Sequence, residues 1–238
     1  KVAFETLALG EDRLRNSIEL GVGHLKIGVS STLCKYMLLP YLKEFIKLYP
    51  HINISITCQS TNDTLKLLEE NKIDVGLIGK PESLKNIDFY YLAEIKDIFV
   101  ATKDYLRNLK ARGVKEDRIL QSSTIMLLDK NNMTRQYIDD YLQENHIVVQ
   151  DSIDISSMDL LIEFAKIDLG IACVIKNFVR DELAEGRLVQ LKMPVSIPAR
   201  KIGFAYAKSG AIPPTVRKLL SFLQELEVQK AIQDRSDR

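Results

Sequence analysis

Hydroxyl and amide side chains gather at three places in this sequence where an apolar strand pattern gives way to a helical one. The residues concerned are Ser30, Ser31, Thr32, Thr61, Asn132 and Thr134. The amino terminus of a helix carries unpaired N–H groups and partial positive charge, so hydroxyls beside it can bind a carboxylate, sulfate or phosphate. The same residue types are also ordinary N-caps, and for any one position alone that role is the commoner. Taken together, the set predicts a site for a small anion.

The segment from Leu25 to Gly79 would position the first two of these groups. Leu25, Ile27 and Val29 alternate with other residues and predict a strand that ends at the first hydroxyl cluster. A helix comes next, with the apolar face Leu42, Phe45, Ile46 and Tyr49. It is followed by a strand over 51–58, a short helix capped by Thr61 or Asn62, and a strand over 73–78. Two successive strand–helix–strand units predict a parallel sheet, with its ligand crevice at the carboxyl ends of the strands.

The remainder of the chain predicts a second series of alternating strands and helices. Short strands are predicted over 89–93 and 97–102, and the charged run 103–118 then interrupts the pattern. The alternation resumes with strands over 123–128, 148–155 and 169–174 and helices over 132–144, 157–166 and 176–184. The chain closes with a strand over 201–207 and a helix begun by Pro213 and Pro214, whose apolar stripe is Val216, Leu219, Leu220, Leu223 and Leu226.

Several stretches, taken in order, resemble the effector-binding domain of a LysR-type transcriptional regulator. They are LKIGVSSTLCKYMLLPYLKEFIKLYPHINISI with KIDVGLI, then LLDKNNMTRQYIDDYL, FAKIDLGIACVIKNFV and RKIGFAYAKSGAIPPTVRKLLSFL, so the resemblance covers the chain from about His24. It implies an α/β fold of two Rossmann-like lobes with a hinge, periplasmic-binding-protein-like (type 2), with the ligand cleft between the lobes. The last strand and helix would return to the first lobe. The implied domains are a linker helix at 1–22, lobe I at 23–101 and 200–238, and lobe II at 102–199.

In the first lobe, the resemblance assigns ligand-binding residues by direct matches. The family's hydroxyls after the first strand correspond to Ser30, Ser31 and Thr32. Its threonine after the second strand corresponds to Thr61. These four residues are therefore predicted to bind the effector.

In the second lobe, the sequence departs from the family's pattern. A Ser–x–Thr–Arg turn is common there, and here it begins with Asn132 and continues to Thr134 and Arg135. Asparagine can donate as well as accept hydrogen bonds, which would favour ligands with acceptors at that point. Ile175 stands where a proline is usual, and Asp168 where a glycine is usual. We predict Asn132, Thr134 and Ile175 as ligand-binding residues of the second lobe.

Residues 1–20 form an amphipathic segment that bears on the partners of this protein. Its apolar residues at coiled-coil spacing are Phe4, Leu7, Leu14 and Ile18. Gly10 weakens such a helix by about 1 kcal/mol relative to alanine, so the helix needs a cover, either its own domain or another subunit. In the family that the chain resembles, this helix pairs with a second subunit and joins the sensor to a DNA-binding winged helix-turn-helix, which is not in this chain. The resemblance implies a homodimer, a tetramer of the full-length protein, and DNA contact only through that missing domain.

Composition and charge argue against several other classes of protein. The 238 residues carry a formal net charge of +1, too small for a stand-alone nucleic-acid binder. No apolar run reaches the roughly 18 residues of a membrane span, so no membrane partner is expected. The three cysteines are widely spaced, without a CxxC motif or a secretory leader, which favours the reducing cytoplasm.

Catalysis has little support in the sequence. His24, His51 and His146 lack metal-ligand spacing, and no GxSxG, HExxH or glycine-rich phosphate loop is found, so we expect no enzyme activity, metal or cofactor. Cys34 lies near the predicted site, where a helix start could lower its pKa, although a buried and unreactive cysteine is the commoner case. The alternatives to a sensor are a solute-binding protein of a transport system and a small two-lobed enzyme such as a deaminase or dehydratase. The segment 1–20 favours the sensor over the first, and the missing catalytic groups argue against the second.

Overall fold

A computed structural model of the protein describes residues 23–81, 83–84, 86–208 and 212–236. These residues form two compact units. The first unit ends at Leu92 and resumes at Gly203, and the second runs from Ala93 to Ile202. The chain therefore passes between the units at residues 92–93 and 202–203, and both passages lie within strands. From the sequence, we predicted these passages near residues 102 and 200. The linker helix predicted at 1–22 lies outside the described residues, and the cleft and hinge between the lobes stay predictions.

The first unit contains three parallel strands in the order β2, β1, β3. They are β1 (Gly23–Val29), β2 (Ile52–Cys58) and β3 (Val75–Gly79). Val29 of β1 lies opposite Cys58 of β2, and Ile27 lies opposite Val75 of β3. The predicted parallel pairing is confirmed, and it brings the carboxyl ends of β1 and β2 side by side. The turns that follow these two strands are therefore neighbours.

The helical stretch after β1 has three parts. α1 (Ser31–Leu33) runs directly into a π-helical segment (Cys34–Leu38), which runs into α2 (Leu39–Leu48). Pro40 explains the wide turn, because proline has no N–H and its ring crowds the carbonyl four residues earlier. The Leu39 N–H bonds instead to the Cys34 carbonyl, five residues back.

The buried face of α2 corrects one prediction. Leu38, Leu42 and Phe45 are buried, but Ile46, which we placed on the same face, is 50% exposed. Successive residues are turned by about 100° around a helix, so a face defined by Leu38, Leu42 and Phe45 points Ile46 away from the core. An apolar residue next to a core position was therefore misread as a core residue.

The last strand and helix are β9 (Ala199–Ala207) and α8 (Pro214–Ser236). α8 packs on the first unit, where the ring of Phe222 meets that of Phe45 with 5.4 Å between centroids. The Thr215 hydroxyl donates to the His24 carbonyl oxygen of β1 at 3.2 Å. The predicted apolar stripe is confirmed for Val216, Leu219, Leu220 and Leu223, which are all buried, whereas Leu226 is half-buried.

The second unit alternates strands and helices in the predicted way. Its strands are β4 (Ile87–Ala101), which begins in the first unit, β5 (Thr124–Leu128), β6 (Asp151–Ile155), β7 (Ile171–Ile175) and β8 (Val189–Gln190). β5 is parallel to β6 and β7, whereas β4 is antiparallel to β7 and β8. The helices are α4 (Lys103–Ala111), α5 (Met133–Glu144), α6 (Met158–Lys166) and α7 (Arg180–Ala184), with 3₁₀ turns at Glu116–Arg118 and Lys176–Val179.

Three predictions for this region are wrong. β4 is one strand of 15 residues, whereas we predicted two short strands. The prediction was wrong because the charged residues Glu94 and Lys96 look like a break in the sequence although they lie within the strand. The charged run 103–118 contains α4, which the pattern hides because Leu109 is its one buried residue. The helix predicted over 176–184 is divided between a 3₁₀ turn and α7. The other strands and helices are confirmed with shifted ends.

Candidate functional site

Ser30 and Ser60 are the N-caps at the two neighbouring turns of the first unit. The Ser30 hydroxyl accepts a hydrogen bond from the N–H three residues on, at 3.2 Å. At the start of α3 (Thr61–Glu69), the Ser60 hydroxyl accepts from the Asp63 N–H at 3.1 Å and donates to the Asp63 carboxylate at 2.6 Å. The prediction that Thr61 or Asn62 is this cap is wrong. Ser60 still has an extended backbone, with φ −65° and ψ 160°, whereas Thr61 is already helical.

This assignment of caps leaves the other predicted hydroxyls of the first unit unused. Among the described residues, Ser31, Thr32 and Thr61 make no hydrogen bond through their side chains. Ser31 is exposed, and Thr32 and Thr61 are half-buried. The Gln59 N–H donates to the Val29 carbonyl at 2.9 Å, so the sheet bonding continues up to the two turns. The hydroxyls are therefore free to contact a ligand.

In the second unit, Asn132 and Thr134 have different roles at the start of α5. The Asn132 side chain is the N-cap and accepts from the Thr134 N–H at 2.8 Å. The Thr134 hydroxyl oxygen instead accepts from the two terminal nitrogens of Arg200, at 3.4 and 3.3 Å. Thr134 thus belongs to a cluster with an arginine that the sequence analysis did not select.

Asp97 holds that arginine in place. Its Oδ2 accepts from Arg200 Nε at 2.9 Å and from Nη2 at 2.6 Å. The Asp97 side chain is fully buried and that of Arg200 is 17% exposed. Asp97 Oδ1 is buried without a hydrogen-bond partner among the described residues. Burial raises the pKa of the Asp97 carboxyl, and the adjacent Arg200 only partly opposes this effect.

Tyr137, also on α5, completes the cluster. The guanidinium carbon of Arg200 lies 4.8 Å from the centroid of its ring, a cation–π contact. The Tyr137 hydroxyl donates to the Pro198 carbonyl at 3.1 Å. Sequence analysis missed Asp97, Tyr137 and Arg200 because they are far apart in the chain. The one available signal was the Asp97 carboxylate directly before the apolar residues 98–101 of β4.

Arg135, the last residue of the resembling turn, has a structural role. Its side chain is buried and donates to the Leu128 carbonyl at 2.8 Å. It also forms ion pairs with Asp139 at 2.8 Å and with Asp154 at 2.5 Å. These contacts join α5 to β5 and β6. The Arg135 side chain is only 6% exposed, against 17% for that of Arg200.

The two positions that depart from the family's pattern are accommodated locally. Ile175 is 1% exposed, so its side chain belongs to the core, and its φ of −74° is close to the value that proline would impose. Asp168 has φ +65°, a region that favours glycine and that aspartate tolerates better than most residues. The Thr102 hydroxyl donates to the Asp168 carboxylate. A side-chain contact thus helps to hold a backbone conformation that glycine would adopt freely.

Other kinds of site find little support in the described part of the chain. There, no cluster of three or more His, Cys, Asp or Glu residues could hold a metal ion. None of the described helices combines the length and the apolar character needed to span a bilayer. An open cavity of about 400 Å³ in the first unit is lined by Leu68, Glu69, Asn71, Asn86, Ile87 and Ala207. None of the predicted ligand-binding residues lines it.

Two curated proteins illustrate what the sequence is similar to. HTH-type transcriptional regulator CbbR of Rhodospirillum rubrum is 24% identical over 203 residues, which cover 85% of this chain and 66% of that protein. A probable RuBisCO transcriptional regulator of Thalassiosira pseudonana is 27% identical over 194 residues, covering 74% and 61%. The chain thus spans 61 to 66% of the length of these relatives.

Solved structures share the fold. The sulfate-bound regulatory domain of an OxyR2 mutant from Vibrio vulnificus matches with a TM-score of 0.70 at 19% identity, over 87% of this chain and 97% of that one. The CcmR regulatory domain of Synechocystis PCC6803, in complex with 2-PG, matches with a TM-score of 0.73 at 18% identity, over 86% and 97%. The predicted periplasmic-binding-protein-like fold is confirmed. The family model of the LysR substrate binding domain matches residues 19–227, and this chain therefore belongs to that family.

Proposed function

We propose that this chain is the effector-sensing part of a DNA-binding transcriptional regulator and that it binds a small anionic metabolite. The observation that carries the proposal is the Arg200 guanidinium, which Asp97 and Thr134 hold while it remains partly exposed. The relatives are regulators, which favours a sensor over a solute-binding protein of a transport system. Such a regulator acts in the cytoplasm, needs no catalytic group and contacts DNA through a separate domain.

The guanidinium of Arg200 suits an anion for geometric reasons. Its N–H donors lie in one rigid plane that matches the oxygens of carboxylate, sulfate or phosphate. Its contacts to Asp97 and Thr134 account for four of its five N–H groups, which leaves one for a ligand. The adjacent Asp97 offsets much of the positive charge of Arg200. We therefore expect hydrogen-bond geometry, more than net charge, to select the ligand.

The Ser31, Thr32 and Thr61 hydroxyls are the corresponding proposal for the first unit. They are neutral donors and acceptors beside helix starts, where partial positive charge favours an anion. Because Ser30 and Ser60 provide the caps, binding a ligand would not uncap either helix. The ligands of two structural neighbours support an anionic ligand class. One has bound sulfate and the other is in complex with 2-PG.

Sulfate is a suitable first probe, and Arg200→Lys is the informative variant. Lysine keeps the positive charge next to Asp97 but loses the planar fork. A hydrogen bond to a charged group contributes about 1.5–3 kcal/mol, so we expect sulfate affinity, measured by isothermal calorimetry, to fall roughly tenfold or more. The matched control is Arg180→Lys, on an exposed arginine of α7 in the same unit. It should leave the affinity unchanged.

Two results would count against the proposal. One is an equal loss of affinity in the Arg180 and Arg200 variants, since this would reduce binding to non-specific attraction. The other is an absence of saturable sulfate binding, together with a thermal-shift screen in which no carboxylate or phosphate metabolite changes the melting temperature of the protein. Thr61→Val in the same assays tests the first unit separately.

We also propose that the protein self-associates through the first unit. Ile46 and Leu48 on α2 and Ile56 on β2 are 50%, 60% and 40% exposed, and β2 is the outer strand of the β2–β1–β3 ladder. Outer strands with exposed apolar residues tend to pair unless they are covered. A second copy of the chain is the proposed cover. Sedimentation equilibrium at tens of micromolar should give a dimer that Ile46→Glu weakens and Val148→Glu, on the second unit, does not.

A further inference from the structure

Two of the three cysteines lie together at the carboxyl edge of the first unit's sheet. Cys58 is the last residue of β2 and pairs in register with Val29, the last residue of β1. Cys34 begins the π-helical segment, and its N–H donates to the Ser30 carbonyl at 2.8 Å. The Cys58 side chain lies near enough to the Cys34 thiol to raise its pKa. Sheet and helix bonding thus hold the two backbones so that the thiols are neighbours at this edge of the sheet.

The members of this pair differ from Cys173 in their access to solvent. Cys58 is exposed and Cys34 is half-buried, whereas Cys173 is buried in the second unit. Burial and the neighbouring Cys58 raise the pKa of the Cys34 thiol, which is opposite to the lowering that a helix start could have produced. Burial raises the pKa of Cys173 well above its ordinary value. A dissolved oxidant would therefore meet Cys58 first, with Cys34 already beside it.

We propose that Cys34 and Cys58 are an oxidisable dithiol that a hydroperoxide converts into an intramolecular disulfide. The Cys58 thiolate attacks one oxygen of hydrogen peroxide. An S–O bond forms, the O–O bond breaks, and the leaving hydroxide takes a proton to become water. The Cys34 thiolate then attacks the Cys58 sulfenic sulfur, so an S–S bond forms, the S–O bond breaks and a second water leaves. The two thiols lose two electrons and two protons, and one peroxide becomes two waters.

The surroundings of the pair make this bond compatible with the fold. A disulfide requires Cβ atoms about 3.5–4.5 Å apart, and rotation about the two Cα–Cβ bonds then brings neighbouring sulfurs to bonding distance. The bond would tie the turn after β1 to the end of β2, beside Ser31 and Thr61. If these hydroxyls bind the effector, oxidation should change effector affinity. That second step rests on the proposed function, whereas formation of the disulfide does not.

The test uses the reduced 238-residue chain, treated with a small excess of hydrogen peroxide at neutral pH and then denatured and alkylated. We expect the number of alkylated thiols to fall from three to one and the mass before alkylation to fall by two hydrogens. Tryptic peptides 27–35 and 48–66 should be linked until dithiothreitol is added, while Cys173, in peptide 167–176, stays alkylated. Cys173→Ala should form the link at an unchanged rate.

The single variants provide the controls. Cys34→Ser should stop at a Cys58 sulfenic acid that dimedone traps, and Cys58→Ser should lose the rapid reaction. Three thiols that all survive, a link only between two chains, or overoxidation of Cys58 without a link in the parent protein would each overturn the proposal. Sulfate titration of the reduced protein tests the proposed function separately, so a failure of one is distinguishable from a failure of the other.

Discussion

The candidate site residues of the two units differ in how far the protein uses them for its own stability. Ser31 and Thr61 in the first unit are uncharged, lie beside helix starts and make no side-chain hydrogen bond among the described residues. In the second unit, Arg200 is hydrogen-bonded to both Asp97 and Thr134, and Asp97 is fully buried. A hydroxyl can serve a ligand alone, because water satisfies it otherwise. A buried charge must first be satisfied by the protein, so a charged group proposed to bind a ligand also contributes to folding.

The contrast predicts a large stability loss when the buried pair in the second unit is broken. Asp97→Leu or Arg200→Met alone leaves one charge without its partner, and each should lower the free energy of unfolding by about 3–5 kcal/mol. The double variant replaces both charges by apolar groups and should lie closer to the parent protein. Urea denaturation measures all three. If the losses simply add in the double variant, Asp97 and Arg200 do not act as one unit.

The pKa of Asp97 gives this prediction a pH dependence of definite sign. Because the pKa is raised in the folded protein, the stability linked to it is full below the ordinary value of 3.8 and is lost as pH rises through the raised value. The free energy of unfolding of the parent minus that of Asp97→Asn should therefore decrease with pH across that window and then level off. Urea denaturation at a series of pH values measures it. A difference that increases with pH would mean that the Arg200 contact outweighs burial.

The same contrast explains which parts of the site could be predicted from the sequence. Ser30, Ser31 and Thr32 follow directly on a clear strand pattern, so their place at a helix start is a local property of the chain. The choice of cap at the next turn was missed because Ser60 and Thr61 are both good capping residues, and the backbone geometry at one residue decides between them. Periodicity therefore locates a turn but does not fix roles within it.

The charged cluster could not be predicted in this way. Asp97 lies on β4, Thr134 on α5 and Arg200 on β9, and no local pattern relates these three positions. Their contact depends on strand order, which a single sequence leaves open. The parallel pairing of β1 with β2 and β3 was predictable because successive strand–helix–strand units restrict the topology. To predict that Cys34 lies beside Cys58 at the end of β2, one would have needed both the local helix start and the strand order.

A smaller effect is expected at Asp168, which also combines a side-chain contact with backbone geometry. Asp168→Ala keeps φ near +65° without the Thr102 contact, so it should lower the free energy of unfolding by about 1–3 kcal/mol. Asp168→Gly loses the same contact but removes the backbone strain, and should stay within about 1 kcal/mol of the parent. Thermal and urea denaturation of both variants measure the difference. Equal losses in the two would show that the backbone at residue 168 is not strained.

The smallest stability effects are expected at the turns of the first unit, where a cap and a free hydroxyl are adjacent. Ser60→Ala removes the acceptor for the Asp63 N–H and should cost about 1 kcal/mol of stability. Thr61→Ala removes a hydroxyl without a partner among the described residues, and should change the free energy of unfolding by less than about 0.5 kcal/mol. Urea denaturation of the two variants provides the comparison.

Sulfate affinity should respond differently in these variants. Thr61→Ala should weaken sulfate binding while leaving stability almost intact, because its hydroxyl is proposed to serve the ligand alone. Ser60→Ala should lower stability and affect sulfate only through fraying of α3. The pair thus separates a capping role from a binding role at adjacent residues of the same turn. If Thr61→Ala loses stability and keeps its affinity, then Thr61 has a structural role and the proposed division of labour at this turn is wrong.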